Sequence, residues 1–312
     1  MTDSPQIAAR ACVSAGEMQR TTSIGVSVQS LLDLYSGASL RQGVDMLFEG
    51  VNTLTALAKP VVRVENISVN FGSIQALTGV SMEVFAGEVV ALVGDNGAGK
   101  STLIKTIAGV IQPYEGKIYI DGREAELKTP AAARRLGIET VYQDLALAPD
   151  LDMVGNLFLG REEVREGFWG RLGVLDEGKM TEYAEHTIRR LRVPVHSSRQ
   201  KVGSMSGGQR QSVAVARAIA WECKMVIMDE PTAALGVEEC EKVLQLIRDI
   251  RNAGTAVLII SHNMAHVFEV ADRVVVLRLG RKVAESYLKD TNMDQVVSWI
   301  TGSSTQAELC TK

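Results

Sequence analysis

Residues 89–102 constrain the fold of this chain more than any other stretch, and they read VVALVGDNGAGKST. The run Val89–Val93 is short and entirely apolar, which is typical of a parallel strand buried on both faces. Gly94 then opens the spacing G-x-x-x-x-G-K-S, and the residues after it have the pattern of a helix. A strand, a glycine-rich loop and a helix in this order predict an α/β fold in which the loop binds phosphate.

This phosphate loop has the chemistry to hold a nucleoside triphosphate. Its glycines let the backbone wrap closely around a phosphate, so that successive N–H groups point inward at the anion. The N-terminal end of the predicted helix adds a positive dipole. Lys100 can then reach the β- and γ-phosphates, and the hydroxyl of Ser101 is a ligand for Mg²⁺. The predicted nucleotide-binding residues of the loop are Gly94, Asp95, Asn96, Gly97, Ala98, Gly99, Lys100, Ser101 and Thr102.

A second apolar run, residues 225–228, predicts another buried strand, and it ends in Asp229 and Glu230. Ligands bind at the carboxyl ends of the strands in open α/β sheets, so Asp229 is placed to hold Mg²⁺. Glu230 points to a different side of the chain and can polarise a water molecule as a general base. An isolated Asp-Glu pair is usually a solvated turn, but its position downstream of the phosphate loop favours the functional interpretation.

Two further strand ends supply polar side chains. Gln143 follows the predicted strand 138–142, where its amide suits a contact with Mg²⁺ or water beside the γ-phosphate. His262 follows the predicted strand 256–260 and can reach a γ-phosphate oxygen. Taken singly, a glutamine is most often an ordinary surface residue and a histidine an ordinary core residue. The histidine repeats the placement of the Asp-Glu pair, and this favours a shared site.

A segment of small residues after position 206 predicts a buried helix. Ser206, Gly207 and Gly208 stand at its start, so the sequence predicts a second anion-binding helix end with a hydroxyl and two glycines. A simple N-cap is the alternative. Phe71 precedes the phosphate-loop strand in a predicted turn, where stacking on adenine and an ordinary turn or core position fit equally well.

The rest of the chain divides by pattern. Residues 1–58 are rich in Ser, Thr, Ala and Gln and carry no chemical motif, so we expect a weakly ordered N-terminal extension. Residues 61–92 alternate in the manner of an antiparallel β subdomain. Residues 145–203 are rich in predicted helix and loop, and we interpret them as a helical subdomain inserted into the nucleotide-binding fold. Its aromatic residues fit either the core or a docking surface, with the core as the default expectation, and they are Phe158, Phe168 and Trp169.

Composition excludes several classes of function. The net charge is only −4 over 312 residues, so nothing indicates a nucleic-acid partner. The 4 cysteines are scattered, which predicts reduced thiols in a cytosolic protein rather than a zinc site or a disulfide framework. No apolar stretch approaches the ~20 residues that span a bilayer, and the N-terminus lacks a hydrophobic signal core. Residues 301–312 are expected to be a flexible tail.

The order and spacing of these motifs resemble the ATP-binding subunit of an ABC transporter. The resemblance implies a P-loop NTPase fold of ABC type, with a mainly parallel core sheet, an antiparallel β subdomain and an inserted helical subdomain. It makes Gln143 the Q-loop glutamine and Ser206–Gln209 the signature that contacts ATP on a second copy of the chain. By the same resemblance Glu230 is the catalytic base, His262 the switch histidine and Phe71 the adenine-stacking aromatic.

Several segments further resemble the carbohydrate importers of the ribose, xylose and fructose type, namely VGDNGAGKSTLIK, GIETVYQ, NLFLGRE, PTAALG and SHNM. This resemblance implies an ATPase that energises uptake of a monosaccharide, with ATP and Mg²⁺ as cofactors and the metal on Ser101, Gln143 and Asp229. An importer ATPase for another small solute, and a soluble ABC ATPase outside transport, are the alternatives.

The resemblance also implies partners. One phosphate loop and one signature imply a homodimer, and the transporter assignment implies integral membrane permease subunits. A periplasmic or extracellular sugar-binding protein is an indirect partner, and nucleic acid is not expected. The chain is expected at the cytoplasmic face of the inner membrane, held peripherally by the permease.

The resemblance covers residues 61–300, and two short segments depart from it. Met205 stands where the family usually has Leu, a swap of similar volume that we expect to be tolerated. The segment after the catalytic glutamate, commonly Ser-Ala-Leu-Asp, is here Ala-Ala-Leu-Gly and ends at Gly236. This glycine removes a carboxylate that communicates across the dimer in the family.

Overall fold

The computed structural model describes residues 59–190, 197–221 and 223–303. The predicted extension 1–58 and most of the predicted tail 301–312 lie outside the described residues. The strands are β1 (Val62–Phe71), β2 (Ile74–Val84), β3 (Val89–Val93), β4 (Glu115–Ile120), β5 (Arg123–Glu124), β6 (Ile138–Val141), β7 (Met225–Asp229), β8 (Ala256–Ile260), β9 (Arg273–Arg278) and β10 (Arg281–Tyr287). The α-helices are α1 (Lys100–Ile107), α2 (Pro130–Arg135), α3 (Met153–Phe158), α4 (Phe168–Arg171), α5 (Glu177–Arg190), α6 (Gly207–Ile219), α7 (Val237–Asn252), α8 (Met264–Val270) and α9 (Met293–Thr301).

The main sheet has the strand order β10-β9-β3-β8-β7-β6, and every neighbouring pair except β9 and β10 is parallel. All residues of β3 and β8 are buried, as expected for strands covered on both faces. Because these strands are parallel, β3, β7 and β8 end at one edge of the sheet. The phosphate loop, Glu230 and His262 follow these three strand ends, and the predicted mainly parallel core sheet is confirmed.

A second sheet is antiparallel throughout and has the order β2-β1-β4-β5. Its buried side chains pack in one core with α1 and one face of the main sheet, with Leu77, Ile104 and Leu258 among the residues that meet there. The other face of the main sheet packs against α6, α7, α8 and α9. The phosphate loop therefore lies where the two sheets meet, supported from both.

The segment between β6 and α6 is helical, as the sequence predicts. Its core is formed by α3, α5 and α6, with Phe158, Met180 and Val213 among the buried side chains. Met205 is 5% exposed in the same cluster, so the long side chain at this position finds an apolar environment. None of the described helices combines the length and hydrophobicity that a bilayer crossing requires.

The expectation that the aromatic residues of this segment are all core residues is wrong for two of them. Phe158 is 2% exposed, whereas Phe168 is 70% and Trp169 is 59% exposed. Both exposed residues lie on the short helix α4, in an excursion of the chain. An isolated β-bridge between Val164 and Leu175 closes this excursion at its base, so its aromatic rings pack on each other rather than on the core.

A buried ion-pair network joins the two sheets below the phosphate loop. Arg273 on β9 is 5% exposed and donates hydrogen bonds to Glu88 at 2.7 and 2.9 Å and to the carbonyl of Glu83 at 2.7 Å. It also pairs with Glu285 on β10. Burial alone lowers the pKa of the guanidinium, but the two carboxylates outweigh it and raise the pKa. This network fixes the antiparallel sheet against the strands that carry the site.

Candidate functional site

The phosphate loop is tightly packed between β2 and β9, which explains two of its glycines. A Cβ atom on Gly94 would lie 2.2 Å from the carbonyl oxygen of Leu277, and one on Gly99 would lie 2.6 Å from Cδ2 of Leu77. Both glycines also have positive φ angles, 150° and 102°, a region that L-residues with side chains avoid. The loop conformation therefore depends on glycine at these positions, and α1 begins directly after Gly99.

Lys100 folds back over the loop. Its Nζ atom donates hydrogen bonds to the carbonyl oxygens of Gly94 at 2.8 Å and Asp95 at 2.9 Å. Burial lowers the pKa of the ammonium group, and the nearby carboxylates of Glu230, Asp95 and Asp229 oppose that effect. The nearby carboxylates therefore do not fully offset the cost of burying this cation. A bound phosphate group would add the missing negative charge.

The loop forms one wall of a cleft of about 500 Å³. The strand-end residues Asp229, Glu230 and His262 line the opposite wall. The structure thus brings together the acidic pair, the histidine and the loop, which the sequence places far apart. The predicted loop residues that line the cleft are Asn96, Gly97, Ala98, Gly99, Lys100, Ser101 and Thr102.

Glu230 and His262 contact each other in the cleft, with 3.0 Å between Oε1 of the glutamate and Nε2 of the histidine. Glu230 has a φ angle of 50°, a left-handed conformation that costs a non-glycine residue about 1 kcal/mol or more. A hydrogen bond of 2.9 Å from its N–H to the carbonyl of Ile260 holds it there. This turn places the side chain of Glu230 beside His262, just after the end of β8.

Asp229 is partly buried at the carboxyl end of β7. Burial raises the pKa of its carboxyl group, the charge of Glu230 raises it further, and Lys100, Lys105 and His262 oppose the rise. The neighbouring positive charges therefore do not fully offset the cost of ionising Asp229 in this conformation. A divalent cation beside it would restore the balance.

We expect Asp229→Asn to raise the melting temperature of the nucleotide-free protein at neutral pH. Since folding raises the pKa of this carboxyl, its ionised form costs stability above the raised pKa. The cost disappears below the ordinary aspartate pKa, where the folded and unfolded states are both protonated. Thermal denaturation across the acidic range should show the gain shrinking towards zero. The same substitution at the exposed Asp150 should change little, and no gain at Asp229 at neutral pH would contradict this account of the carboxylate.

Some residues that the sequence assigns to the site lie outside this cleft. Gln143 is exposed in the turn after β6, Phe71 is 50% exposed at the end of β1, and Ser206 caps α6. None of the three is among the described residues that line the cleft. The outer rim is instead formed by Ile74 and Leu279, which are 69% and 76% exposed. Sequence reasoning missed both, and the local sequence carries no signal for either.

The start of α6 has a well-formed cap. The hydroxyl of Ser206 accepts a hydrogen bond of 3.3 Å from the N–H of Gln209, whose side-chain oxygen accepts one of 2.9 Å from the N–H of Ser206. This reciprocal pair is a capping box. The N-cap alternative is thus realised in the single chain.

Comparison with known proteins places this geometry in a family. A family model described as ABC transporter matches residues 77–233. The chain is 45% identical over 247 residues to the fructose import ATP-binding protein FrcA of Rhizobium meliloti, covering 78% of this chain and 95% of that protein. It is 45% identical over 241 residues to the xylose/arabinose import ATP-binding protein XylG of Sulfolobus acidocaldarius, covering 77% and 94%. A ribose import ATP-binding protein of Rubrobacter xylanophilus is 41% identical over 78% of this chain, which spans 48% of that protein.

Solved structures agree with the sequence relatives. A nucleotide-free ATP-binding cassette from an ABC transporter superposes with a TM-score of 0.67 at 30% identity, covering 77% of this chain and 95% of that one. A dimeric cassette in a post-hydrolysis state with ADP and Pi gives a TM-score of 0.60 at 26% identity, covering 73% and 98%. The resemblance seen in the motifs is confirmed: the chain belongs to the ABC transporter family and is one of its ATP-binding ATPase cassettes.

Proposed function

We propose that this chain is the Mg²⁺-dependent ATPase subunit of an importer for a monosaccharide. One observation supports hydrolysis above all: Glu230 and His262 lie 3.0 Å apart, opposite the phosphate loop. The sugar assignment is supported by the relatives, since two proteins that match over nearly their whole length are named for the import of fructose and of xylose or arabinose. Another small solute remains the alternative cargo.

The residues of the cleft suit a triphosphate with its metal. The loop N–H groups and Lys100 hold the β- and γ-phosphates, and Lys100 exchanges its two carbonyl contacts for phosphate oxygens. Ser101 and Asp229 offer a hydroxyl and a carboxylate in the same cleft, which are the hard oxygen ligands that Mg²⁺ prefers, and Gln143 completes the set. Bound Mg²⁺ neutralises charge that develops on the phosphate oxygens.

Hydrolysis then needs a base and a fixed orientation of the attacking water. Glu230 accepts a proton from that water as it attacks the γ-phosphorus, and the bond to the β,γ-bridging oxygen breaks. His262 holds Glu230 and contacts the γ-phosphate. The products are ADP and inorganic phosphate.

We further propose that two copies of the chain close around two ATP molecules. Ser206, Gly207 and Gly208 lie outside the chain's own cleft, so they serve the ATP held by the phosphate loop of the second copy. Phe71 stacks on the adenine beside the exposed rim. ATP stabilises the closed pair, hydrolysis releases it, and this difference in affinity drives the membrane partner.

A separate cavity of about 370 Å³ suits the docking of that partner. Its wall includes Tyr142, Leu157 and Arg217, so it lies between β6, the helical segment 145–203 and α6. Arg217 donates hydrogen bonds to the carbonyls of Leu145 at 3.0 Å and Ala146 at 2.7 Å, just after Gln143. A cytoplasmic helix of a permease in this cavity would therefore contact the same loop that carries the metal ligand.

In this proposal the domain 61–300 sits at the cytoplasmic face of the inner membrane, held there by the permease. A periplasmic or extracellular sugar-binding protein delivers the cargo, and nucleic acid has no role.

Uptake of labelled fructose, xylose and ribose tests the proposal in cells that lack this chain. Uptake of one of these sugars should fall to background and return with the wild-type chain but not with Glu230→Gln. Normal uptake of all monosaccharides offered would contradict the sugar assignment.

A further inference from the structure

Glu239 lies in the first turn of α7 and reaches the start of α6. Its Oε2 atom accepts a hydrogen bond of 3.3 Å from the N–H of Gly236. Hydrogen bonding by the Ser206 hydroxyl and by the N–H groups of Gly236 and Gly208 lowers the pKa of this carboxyl group. Glu239 is thus a carboxylate that caps α7 through Gly236 and lies beside the first turn of α6.

The packing at this junction is close. A Cβ atom on Gly208 would lie 2.8 Å from Cβ and 2.9 Å from Cγ of Glu239. Glycine at this position is therefore required by the neighbouring helix in the single chain, before any second copy is considered. The contact places the carboxylate directly against the N-terminal end of α6, where the helix dipole favours an anion.

The same donors have a second ligand in the proposed function. Under the proposed function, the hydroxyl of Ser206 and the N–H of Gly208 bind the γ-phosphate of ATP held by the other copy. A carboxylate and a phosphate group seek the same donors, and two anions at one helix end repel each other. Both cannot occupy the start of α6 at once.

We propose that Glu239 is an intramolecular stand-in for the γ-phosphate, which occupies the signature end of α6 in the separated chain and must leave before two copies close on ATP. This proposal rests on the proposed function and adds its regulation. The carboxylate keeps the signature end satisfied while the copies are apart, and it raises the ATP concentration needed for closure.

Gly236 explains why the carboxylate can stay. This residue is the N-cap of α7 and has no side chain that could cap the helix itself. Glu239 supplies that contact from the third position of the helix, as the second half of a capping box does. The glycine that departs from the usual family aspartate thus leaves room for, and creates a need for, the side chain of Glu239.

The test compares Glu239→Gln with Glu238→Gln, both in the Glu230→Gln chain so that bound ATP is not consumed. Glutamine at 239 keeps an oxygen for the N–H of Gly236 but loses the charge. Glu238 is exposed in the same helical turn, so its substitution makes the same change in charge at the same helix end. Sedimentation velocity over a range of ATP concentrations gives the midpoint for dimer formation.

We expect Glu239→Gln to lower the ATP midpoint about tenfold, the effect of removing one competing charge-assisted hydrogen bond. Glu238→Gln should leave the midpoint within about twofold. An unchanged or higher midpoint for Glu239→Gln overturns the inference, while dimer formation by the Glu230→Gln parent shows that the proposed function still stands. A parent chain that never dimerises with ATP instead overturns the proposed function.

Discussion

Glu230→Gln is expected to lower kcat for ATP hydrolysis by about 10²- to 10⁴-fold, the usual contribution of a positioned general base. Glutamine keeps the size of the side chain and can still contact His262 at the end of β8, but it cannot accept the proton of the attacking water. ATP binding depends on the phosphate loop on the opposite wall of the cleft. The dissociation constant for ATP should therefore stay near its wild-type value.

Steady-state phosphate release and equilibrium nucleotide titration measure the two quantities separately. Glu115→Gln is a matched control, because Glu115 is exposed on β4 of the antiparallel sheet, and its kcat should be unchanged. Wild-type turnover by Glu230→Gln would show that another group is the base. A parallel loss of ATP binding would show that the variant has disturbed the cleft rather than the chemistry.

Lys100→Ala is expected to weaken ATP binding by about 10²-fold or more, as for truncation of a buried group that pairs with a charged ligand. Lys100 is 7% exposed. In the part of the chain that the structure describes, the hydrogen bonds of its ammonium group go to two backbone carbonyls. Because burial lowers the pKa of this lysine, its charge does not stabilise the fold. Its substitution should therefore spare the fold while removing the ligand contact.

Titration with a fluorescent ATP analogue and thermal denaturation test both halves of this expectation. Lys105→Ala is the control, since Lys105 is exposed one turn further along α1; its affinity should change by less than about threefold. If Lys100→Ala bound ATP normally, the loop would not hold phosphate in the way the cleft suggests. If Lys100→Ala lost both ATP binding and its folded structure, the loss of affinity would result from unfolding rather than from a missing ligand contact.

Local sequence patterns predict most of the elements around the cleft. The apolar runs of β3, β7 and β8 identify buried parallel strands, and parallel strands necessarily end at one edge of a sheet. That single rule predicts that the loop, Asp229, Glu230 and His262 lie at the same edge of the sheet. The pattern fails at α4, where Phe168 and Trp169 are exposed, because composition alone does not distinguish a loop excursion from a core segment.

The remainder depends on contacts between distant residues. Nothing in the local sequence indicates that Ile74 and Leu279 form the rim of the cleft, since each lies at the tip of a different turn. The approach of Glu239 to Gly208 likewise depends on how α7 packs against α6. Gln143 and the signature lie outside the cleft of one chain, and their predicted roles require a metal or a second copy to bring them in.

The central claim is that ATP binding to this chain acts on a membrane permease, and capture of that partner tests it most directly. Tagged Glu230→Gln chain with ATP and Mg²⁺ would be recovered from detergent-solubilised membranes and its partners identified by mass spectrometry. The control adds Lys100→Ala, with ATP kept below the concentration at which the weakened site fills. The account predicts recovery of a second copy of the chain together with an integral membrane permease. Recovery of soluble proteins or ribosomes alone would contradict it.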